Sequence, residues 1–404
     1  MSDRYAATLQ RLFNLTRFGE KLDLSTPKAL ATMLEHPLSK YQSVLIGGTN
    51  GKGSTAVMTE TLLRGAGVRT GLFTSPHLVQ FTERIQVDGA PVAEEVLCRW
   101  ADRVLEQAEG QGIKPSFFEA VWAMATGIFA EAGVDVAVWE VGLGGRLDAT
   151  NVCEPVASAV VSVGLDHVHV LGDTLEAIAG EKVAIFREGR PAITGAQGEA
   201  LEAVRCRWPG PLVEIGPEHA EWLPPLPLPG AHQRINAAVA MALVDAVGVS
   251  PDRSHLTAVR WPGRGERLDG VILDVAHNPA SARALAAWLD DAELGPLTVI
   301  FGAMADKDVA GVIAPLQRHI GALHLVTPVY PRRMTAEALA EIPEVAAMQP
   351  VVGPNTSVGA TLDALRGKGA PPLLVTGSCF LVGEARAHLL GVEFPERGLI
   401  TTAR

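Results

Sequence analysis

An apolar run, Val44-Leu45-Ile46, ends in the loop Gly47-Gly48-Thr49-Asn50-Gly51-Lys52-Gly53, and a helical pattern begins near Ser54. A strand, a glycine loop and a helix start in direct succession leave few folds open. Backbone N–H groups and the positive end of a helix dipole converge at such a junction, which makes it an anion site. Lys52 suits phosphate oxygens, and the hydroxyl of Ser54 or Thr55 suits a Mg²⁺. The spacing is a variant of the common phosphate loop: Gly53 separates the lysine from the hydroxyl residue, and Ile46 stands where the first glycine would be. The alternative, a glycine-rich turn that binds nothing, is disfavoured because the loop stands between a strand pattern and a helix pattern.

The same alternation recurs along the chain. Strand patterns at 68–73, 134–141, 156–163 and 191–194 each end in a polar loop, with helical patterns at 94–109, 117–132 and 174–186 between them. This predicts an α/β domain with a largely parallel sheet, whose ligands bind at the carboxyl edge of the strands. Trp208 to Pro229 is proline-rich and reads as an irregular connection. A helix follows from His232 to about Val247, and the pattern restarts near Arg260 with strands at 271–273, 298–301, 324–326 and 373–375. The expected organisation is a first domain over 1–258, a linker at 259–265 and a smaller doubly wound domain over 266–404. A polar turn is expected around Gly19 to Asp23.

Among 404 residues, 48% are hydrophobic and 20% charged, as in a well-packed soluble enzyme. A net charge of -11 argues against a nucleic-acid partner, which calls for a basic patch. It leaves room for anionic ligands held by a local lysine, arginine and metal cluster. No apolar run approaches the roughly 20 residues of a membrane span, and Met1 to Tyr5 lacks the start of a signal peptide. Cys98, Cys153, Cys206 and Cys379 lack metal-ligand spacing and read as free thiols of a cytoplasmic protein.

Four loops after successive strands carry Lys52 and Ser54, Ser75 and His77, Glu140, and His167. A hydroxyl, a carboxylate and an imidazole make a workable Mg²⁺ set when phosphates and waters supply the rest. Glu140 ends a buried strand, so it needs either a metal or a cation such as Arg146. His167 either serves such a site or merely caps a strand. Lys182, among small and apolar neighbours, is either desolvated, with a perturbed pKa or a modification, or a snorkelling surface lysine. Asp274 suits a ribose hydroxyl, or else caps a helix that Asn278-Pro279 would start. Arg264 either meets a phosphate or is solvated.

Gly48 to Thr55, Thr74 to His77, Gly142 to Asn151, Leu165 to His167, Leu171 to Thr174, Glu181-Lys182, Asp274 to Pro279 and Thr376 to Ser378 together resemble the folylpolyglutamate synthase/dihydrofolate synthase family, within the Mur-ligase superfamily. The inserted Gly53 is itself a mark of the folate branch. The resemblance implies a Mur-ligase architecture: an N-terminal ATPase-like α/β domain with a mainly parallel sheet and a smaller Rossmann-like C-terminal domain. It implies an ATP-dependent ligase that adds L-glutamate to dihydropteroate, to reduced folates, or to both, through an acyl phosphate.

Carried over by position, Thr49, Asn50, Gly51, Lys52, Gly53, Ser54, Thr55, Asn236, Arg264, Asp274 and His277 would bind ATP. Ser54, Glu140, His167 and a carbamylated Lys182 would hold Mg²⁺, with K⁺ as a candidate second ion; Lys52, Lys182 and His167 would be catalytic. Ser75, Pro76, His77, Arg146, Asp148, Thr150 and Asn151 would face the pterin. The family-based expectation is a monomer. Val183-Ala184 and Val168-His169-Val170 depart from the family pattern without removing a proposed ligand. The competing readings are a cell-wall Mur-type ligase, disfavoured by the folate-type loops, and a nucleotide-dependent switch.

Overall fold

In the computed structural model, which describes residues 2–16, 23–353, 357–367 and 372–394, the apolar runs of the first half become strands. These are β1 (Gln42–Gly47), β2 (Thr70–Phe73), β3 (Ile85–Val87), β4 (Ala90–Pro91), β5 (Val136–Glu140), β6 (Ala157–Val160), β7 (Ala192–Thr194) and β8 (Val213–Glu214). Among the described residues they pair in the order β4-β3-β2-β5-β1-β6-β7-β8. Every pairing from β2 to β8 is parallel, and only the β2-β3-β4 edge is antiparallel. β1 is buried from its second residue onward and lies at the centre, which is why it reads as an unbroken apolar run rather than an alternating one.

Two glycines let large rings into this core. A Cβ on Gly71 would lie 2.8 Å from the Phe129 ring, and one on Gly127 would lie 2.0 Å from the Trp100 ring. Phe129 in turn packs on Trp139 with ring centroids 5.2 Å apart. The helix Phe117–Ala132 that carries Phe129 starts on a Ser116–Glu119 capping box and ends at Gly133 in the left-handed region.

The chain clusters into two units, one of Met1–His77, Thr82–Pro227 and His232–Arg260, the other of Leu78–Phe81, Leu228–Ala231 and Trp261–Arg404. The two short segments from within 1–258 that join the second unit are not foreseen from sequence. Leu78 runs so close to Gly383 that a Cβ there would lie 1.9 Å from the Leu78 carbonyl oxygen. In the second unit β9 (Glu266–Leu268), β10 (Val271–Leu273), β11 (Leu297–Phe301), β12 (Ile320–Leu325), β13 (Val351–Val352) and β14 (Leu373–Thr376) form a sheet ordered β13-β12-β11-β14-β10-β9. All its pairings are parallel except β9 with β10. Its two apolar clusters, one around Val299 and Phe301 and one around Leu273 and Val375, draw alternate residues from the same strands, as expected of a doubly wound sheet.

Several expected boundaries shift. The strand expected at 134–141 is trimmed to Val136–Glu140, and the helix expected at 174–186 ends at Val183. Trp208 to Pro229 is not wholly irregular, because Val213-Glu214, free of proline, adds β8 to the sheet. The β3–β4 and β9–β10 hairpins were not expected. They turn on Asp88-Gly89 and Asp269-Gly270, with φ of 50° and 76°, and of 51° and 79°. That Asp-Gly pair in two-residue turns is the strongest short hairpin signal a sequence offers. The turn expected around Gly19 to Asp23 lies, but for Asp23, outside the described residues.

Candidate active site

The parallel order places the loops after β2, β5, β1 and β6 side by side at one sheet edge. Ile46 pairs with Glu140 and Gly47 with Val160, so the phosphate loop is flanked by the ends of β5 and β6. Gly48 and Gly51 take φ of 147° and 83°. Gly51 is the N-cap of the helix Lys52–Gly65, and no side chain caps that helix start. A helix start without a side-chain cap suits an anion.

The loop after β6 braces the phosphate loop. Thr49 N donates to Ser162 O at 2.8 Å, Thr49 Oγ1 exchanges hydrogen bonds with the backbone of Gly164 at 3.0 Å, and Ser162 Oγ is bonded to both Asn50 N and Asn50 O at 2.9 Å. Ser162 was missed by sequence reasoning; a serine just past an apolar strand carries no signal of its own. Lys52 Nζ donates to Gly48 O and Thr49 O at 3.0 and 3.1 Å, so the ammonium lies over its own loop. Asn236 is also brought here: buried and accepting nothing larger than glycine beneath it, its Oδ1 would lie 2.7 Å from a Cβ on Gly51. Gln233 Oε1 accepts from Asn236 Nδ2 at 2.9 Å and orients it.

Gly53 is buried, as are Ser54 and Thr55. Thr55 Oγ1 is a buried hydroxyl without a hydrogen-bond partner among the described residues. An unsatisfied hydroxyl in the first turn, beside an uncapped helix start and a lysine, fits a phosphate-bearing ligand. For a divalent cation the fit is conditional. No group of three or more His, Cys, Asp and Glu side chains among the described residues could hold one. Glu140, His167 and the Ser54 hydroxyl would need phosphate oxygens to complete a shell. Glu140 is buried, and its Oε2 accepts from Ser75 N at 2.9 Å. Arg146, the cation weighed as its partner, pairs instead with Glu181 at 2.9 Å. His167 sits in the left-handed region at φ 52°, with its N–H donating to Asp166 Oδ1 at 2.8 Å.

Lys182 is only 4% exposed, which removes the surface-lysine reading. Its pKa falls from 10.5 to about 7, chiefly through burial and then through the charge of Lys52, with Asp166, Asp148 and Glu181 opposing. The two lysines and Asp166 are thus near enough to feel one another.

Of the residues expected at the acceptor side, Ser75 and Pro76 share a cis peptide bond beside Glu140. His77 is buried, and its Nδ1 accepts from Arg84 Nε at 2.7 Å; Arg84, a second residue not foreseen, stacks over Phe117. Asp148 and Thr150 turn inward. Asp148 Oδ2 accepts from Gly142 N and Leu143 N at 3.0 and 2.9 Å, and Oδ1 from Thr150 N and Oγ1 at 3.0 and 2.6 Å. Burial raises the Asp148 pKa against those four bonds. Asn151 Nδ2 donates to Arg146 O and Ala184 O.

The second unit holds its own set. Asp274, past the end of β10, accepts from Gly265 N and Ala276 N at 2.9 Å. Burial raises its pKa, and nearby Arg264 is the largest opposing influence. Asp274 is not a helix cap; Asn278 is, through a capping box with Ser281. His277 Nδ1 lies 2.9 Å from Val275 O, and Arg264 Nη1 donates to Gly263 O at 3.2 Å.

Residues 263–379 match the Mur ligase, glutamate ligase domain. A probable bifunctional folylpolyglutamate synthase/dihydropteroate synthase of Halobacterium salinarum is 37% identical over 95% of this chain, which spans about half (52%) of that relative's length. The dihydrofolate synthase/folylpolyglutamate synthase of Bacillus subtilis is 32% identical, with 92% of this chain and 96% of the relative covered. Among solved structures, the Yersinia pestis bifunctional folylpolyglutamate synthase/dihydrofolate synthase complexed with AMPPNP and a Mn ion superposes with a TM-score of 0.82 at 30% identity, over 96% of this chain and 98% of that one. With the loops in place and similarity running the length of the Bacillus relative, the chain belongs to the folylpolyglutamate synthase/dihydrofolate synthase family.

Proposed function

We propose that this chain is an ATP-dependent amide ligase that joins L-glutamate to dihydropteroate, to the γ-carboxylate of reduced folates, or to both. The observation that carries the reading is the phosphate loop. Its helix start is uncapped, its lysine lies over the loop, and a second, buried lysine stands close enough to be shifted by the first. The nucleotide and metal held by the Yersinia neighbour support the same assignment.

A carboxylate is a poor acyl donor at neutral pH because hydroxide or oxide is a poor leaving group. Transfer of the terminal phosphoryl group to the carboxylate oxygen makes an acyl phosphate; the glutamate amine then attacks the carbonyl carbon, and phosphate leaves. Phosphoryl transfer is chiefly positioning and charge neutralisation. In this reading Lys52 and the amides of residues 51–54 hold the terminal phosphates, the Thr49, Asn50 and Thr55 positions shape the loop around them, and Asn236 lies beside it. Ser54, Glu140 and His167 would hold Mg²⁺, which would neutralise phosphate charge.

Lys182 is suited to carbamylation, since an amine reacts with CO₂ only when neutral and a pKa of about 7 leaves much of it so. The resulting carboxylate would join the metal's ligands. The loops 75–77 and 142–151 face the pterin. Arg264, Asp274 and His277 form the second unit's nucleotide set, with the domains at 1–258 and 266–404 and the linker at 259–265.

No helix among the described residues is long and apolar enough to cross a membrane, and all four cysteines are free thiols. The reading taken from the family is a monomeric enzyme of the cytoplasm, and light scattering tests the monomer. The deciding assay is glutamate-dependent ADP release from Mg-ATP, with dihydropteroate and tetrahydrofolate as parallel acceptors and K⁺ exchanged for Na⁺. Turnover with both acceptors makes the enzyme bifunctional, and turnover with one names its branch. ADP release indifferent to glutamate and to both pterins overturns the ligase reading.

A further inference from the structure

The loop Gly142–Asn151 and the helix Leu175–Val183 are joined along a continuous seam. At one end Arg146 N donates to Glu181 O, and Arg146 Nε to Glu181 Oε1, both at 2.9 Å. Beside them the loop backbone presses on the helix, and a Cβ on Gly145 would lie 2.8 Å from Glu181 O and 3.1 Å from Lys182 O. At the other end Asn151 Nδ2 reaches Ala184 O at 3.3 Å.

Arg187 closes that end. Its Nη1 donates to Ala184 O and Phe186 O at 3.2 and 3.3 Å; its Nη2 donates to Asn151 O, Asn151 Oδ1 and Cys153 O at 3.0, 2.9 and 3.2 Å. Nε faces Glu154 Oε2 at 3.4 Å, but Glu154 is 85% exposed, so that ion pair contributes little. The carbonyl set is what distinguishes the residue. A helix end leaves carbonyls without intrahelical partners, and a cation there also complements the dipole. Only a planar guanidinium has the donors to serve the helix end and the loop end at once.

We propose that Arg187 is a positioning residue for the ligase reaction: it locks the loop that faces the acceptor to the helix that carries Lys182, so that both are set as one body. This rests on the ligase reading, and two measurements separate them. The first is steady-state ADP release by Arg187→Ala and Arg187→Lys with acceptor and ATP varied in turn. Arg187→Ala lowers kcat/KM for the acceptor on the order of 10- to 100-fold, as small misplacements of bound groups do. KM for ATP changes far less than the acceptor parameter, because the phosphate loop has its own bracing from Ser162 and Gly164. Arg187→Lys recovers little, whereas added guanidinium ion restores part of the Arg187→Ala activity. An unchanged acceptor kcat/KM, or a parallel decline in the ATP and acceptor parameters, overturns the proposal.

The second measurement is amide hydrogen exchange of the same proteins. Exchange in Arg187→Ala rises together over 142–151 and 175–184 and not over 48–55; a rise confined to the residues beside Arg187 overturns the proposal. Should Arg187→Ala fail to fold, Arg187→Gln, which keeps one donor group, carries the same expectations. Wild-type protein without glutamate-dependent turnover refutes the ligase reading alone, and the exchange pattern still decides whether Arg187 joins the two segments.

Discussion

The loops after β1 and β5 are both rich in glycine, and both stand at the carboxyl edge of the same sheet, yet their polar groups point opposite ways. The phosphate loop is held from outside, by Ser162 and Gly164 of the neighbouring loop, and its helix start carries no side-chain cap. The loop 142–151 is held from inside: Asp148 serves four donors of its own loop, and Arg146 and Asn151 are engaged with the helix behind it. A glycine-rich loop can therefore be built to bind a ligand with its backbone, or to present a surface whose polar residues are already employed. The first kind leaves ligand chemistry on the loop itself, whereas the second contributes shape.

The sharpest test of the contrast removes Lys52. Lys52→Ala deletes a cation that donates to the loop carbonyls Gly48 O and Thr49 O, in a loop that Ser162 and Gly164 also brace, so folding is little disturbed. Glutamate-dependent ADP release should fall on the order of 10²–10³ in kcat, the loss typical of one charge-stabilising donor. Circular dichroism and thermal melting should match wild type. A melting temperature that collapses with activity would make Lys52 a structural lysine.

Lys182 should show itself through pH. Its pKa is about 7 in the folded chain and 10.5 as the reference value. Between those values the unfolded chain binds a proton that the folded chain does not, so stability rises with pH across that window. The slope is at most about 1.4 kcal/mol per pH unit. Urea unfolding in CO₂-free buffer should give that slope in wild type minus Lys182→Met, and a flat difference would place the lysine in contact with water.

Asp148→Asn tests the inward-facing loop. The amide retains one acceptor oxygen, but its NH₂ must face either Gly142 N and Leu143 N or the Thr150 donors. Leaving such donors unmatched costs about 1–3 kcal/mol, offset in part by removing a charge that burial disfavours. The melting temperature should fall by a few degrees and KM for the acceptor should rise, while KM for ATP should hold. A rise in KM for ATP as well would mean that the two loops are not mechanically separate.

How much of this was legible follows from the range of the forces involved. The phosphate loop was readable because a strand, glycines and a helix start are neighbours in sequence, and the anion site is made by backbone groups that those residues place directly. The parallel sheet was readable from apolar runs of strand length. The depressed pKa of Lys182 was not, because it depends on tertiary burial and on the charge of Lys52, well over a hundred residues away in sequence. Nor was the inward turn of Asp148 and Asn151, since a carboxylate that binds a ligand and one that ties its own loop occupy the same place in a motif. The two Asp-Gly hairpins were readable in principle; short edge strands such as Ala90–Pro91 offer too little alternation to draw attention to their turns.

The smallest expected effect calibrates the others. Gly145→Ala and Gly270→Ala are the same chemical change in loops of opposite kinds. At Gly145 the new methyl meets the backbone oxygens of Glu181 and Lys182 at 2.8 and 3.1 Å, so the loop or the helix must move, at a cost of about 1–3 kcal/mol. Acceptor kinetics should change with it. At Gly270 nothing lies within 4 Å, and φ of +79° is the whole difficulty. A left-handed residue other than glycine costs about 1–2 kcal/mol, and no candidate ligand group lies in that turn. Gly270→Ala should lower the urea midpoint slightly and leave both KM values and kcat alone. If Gly145→Ala proves equally silent in the kinetics, the 142–151 loop can shift on the Lys182 helix without consequence, and the seam between them is packing rather than alignment.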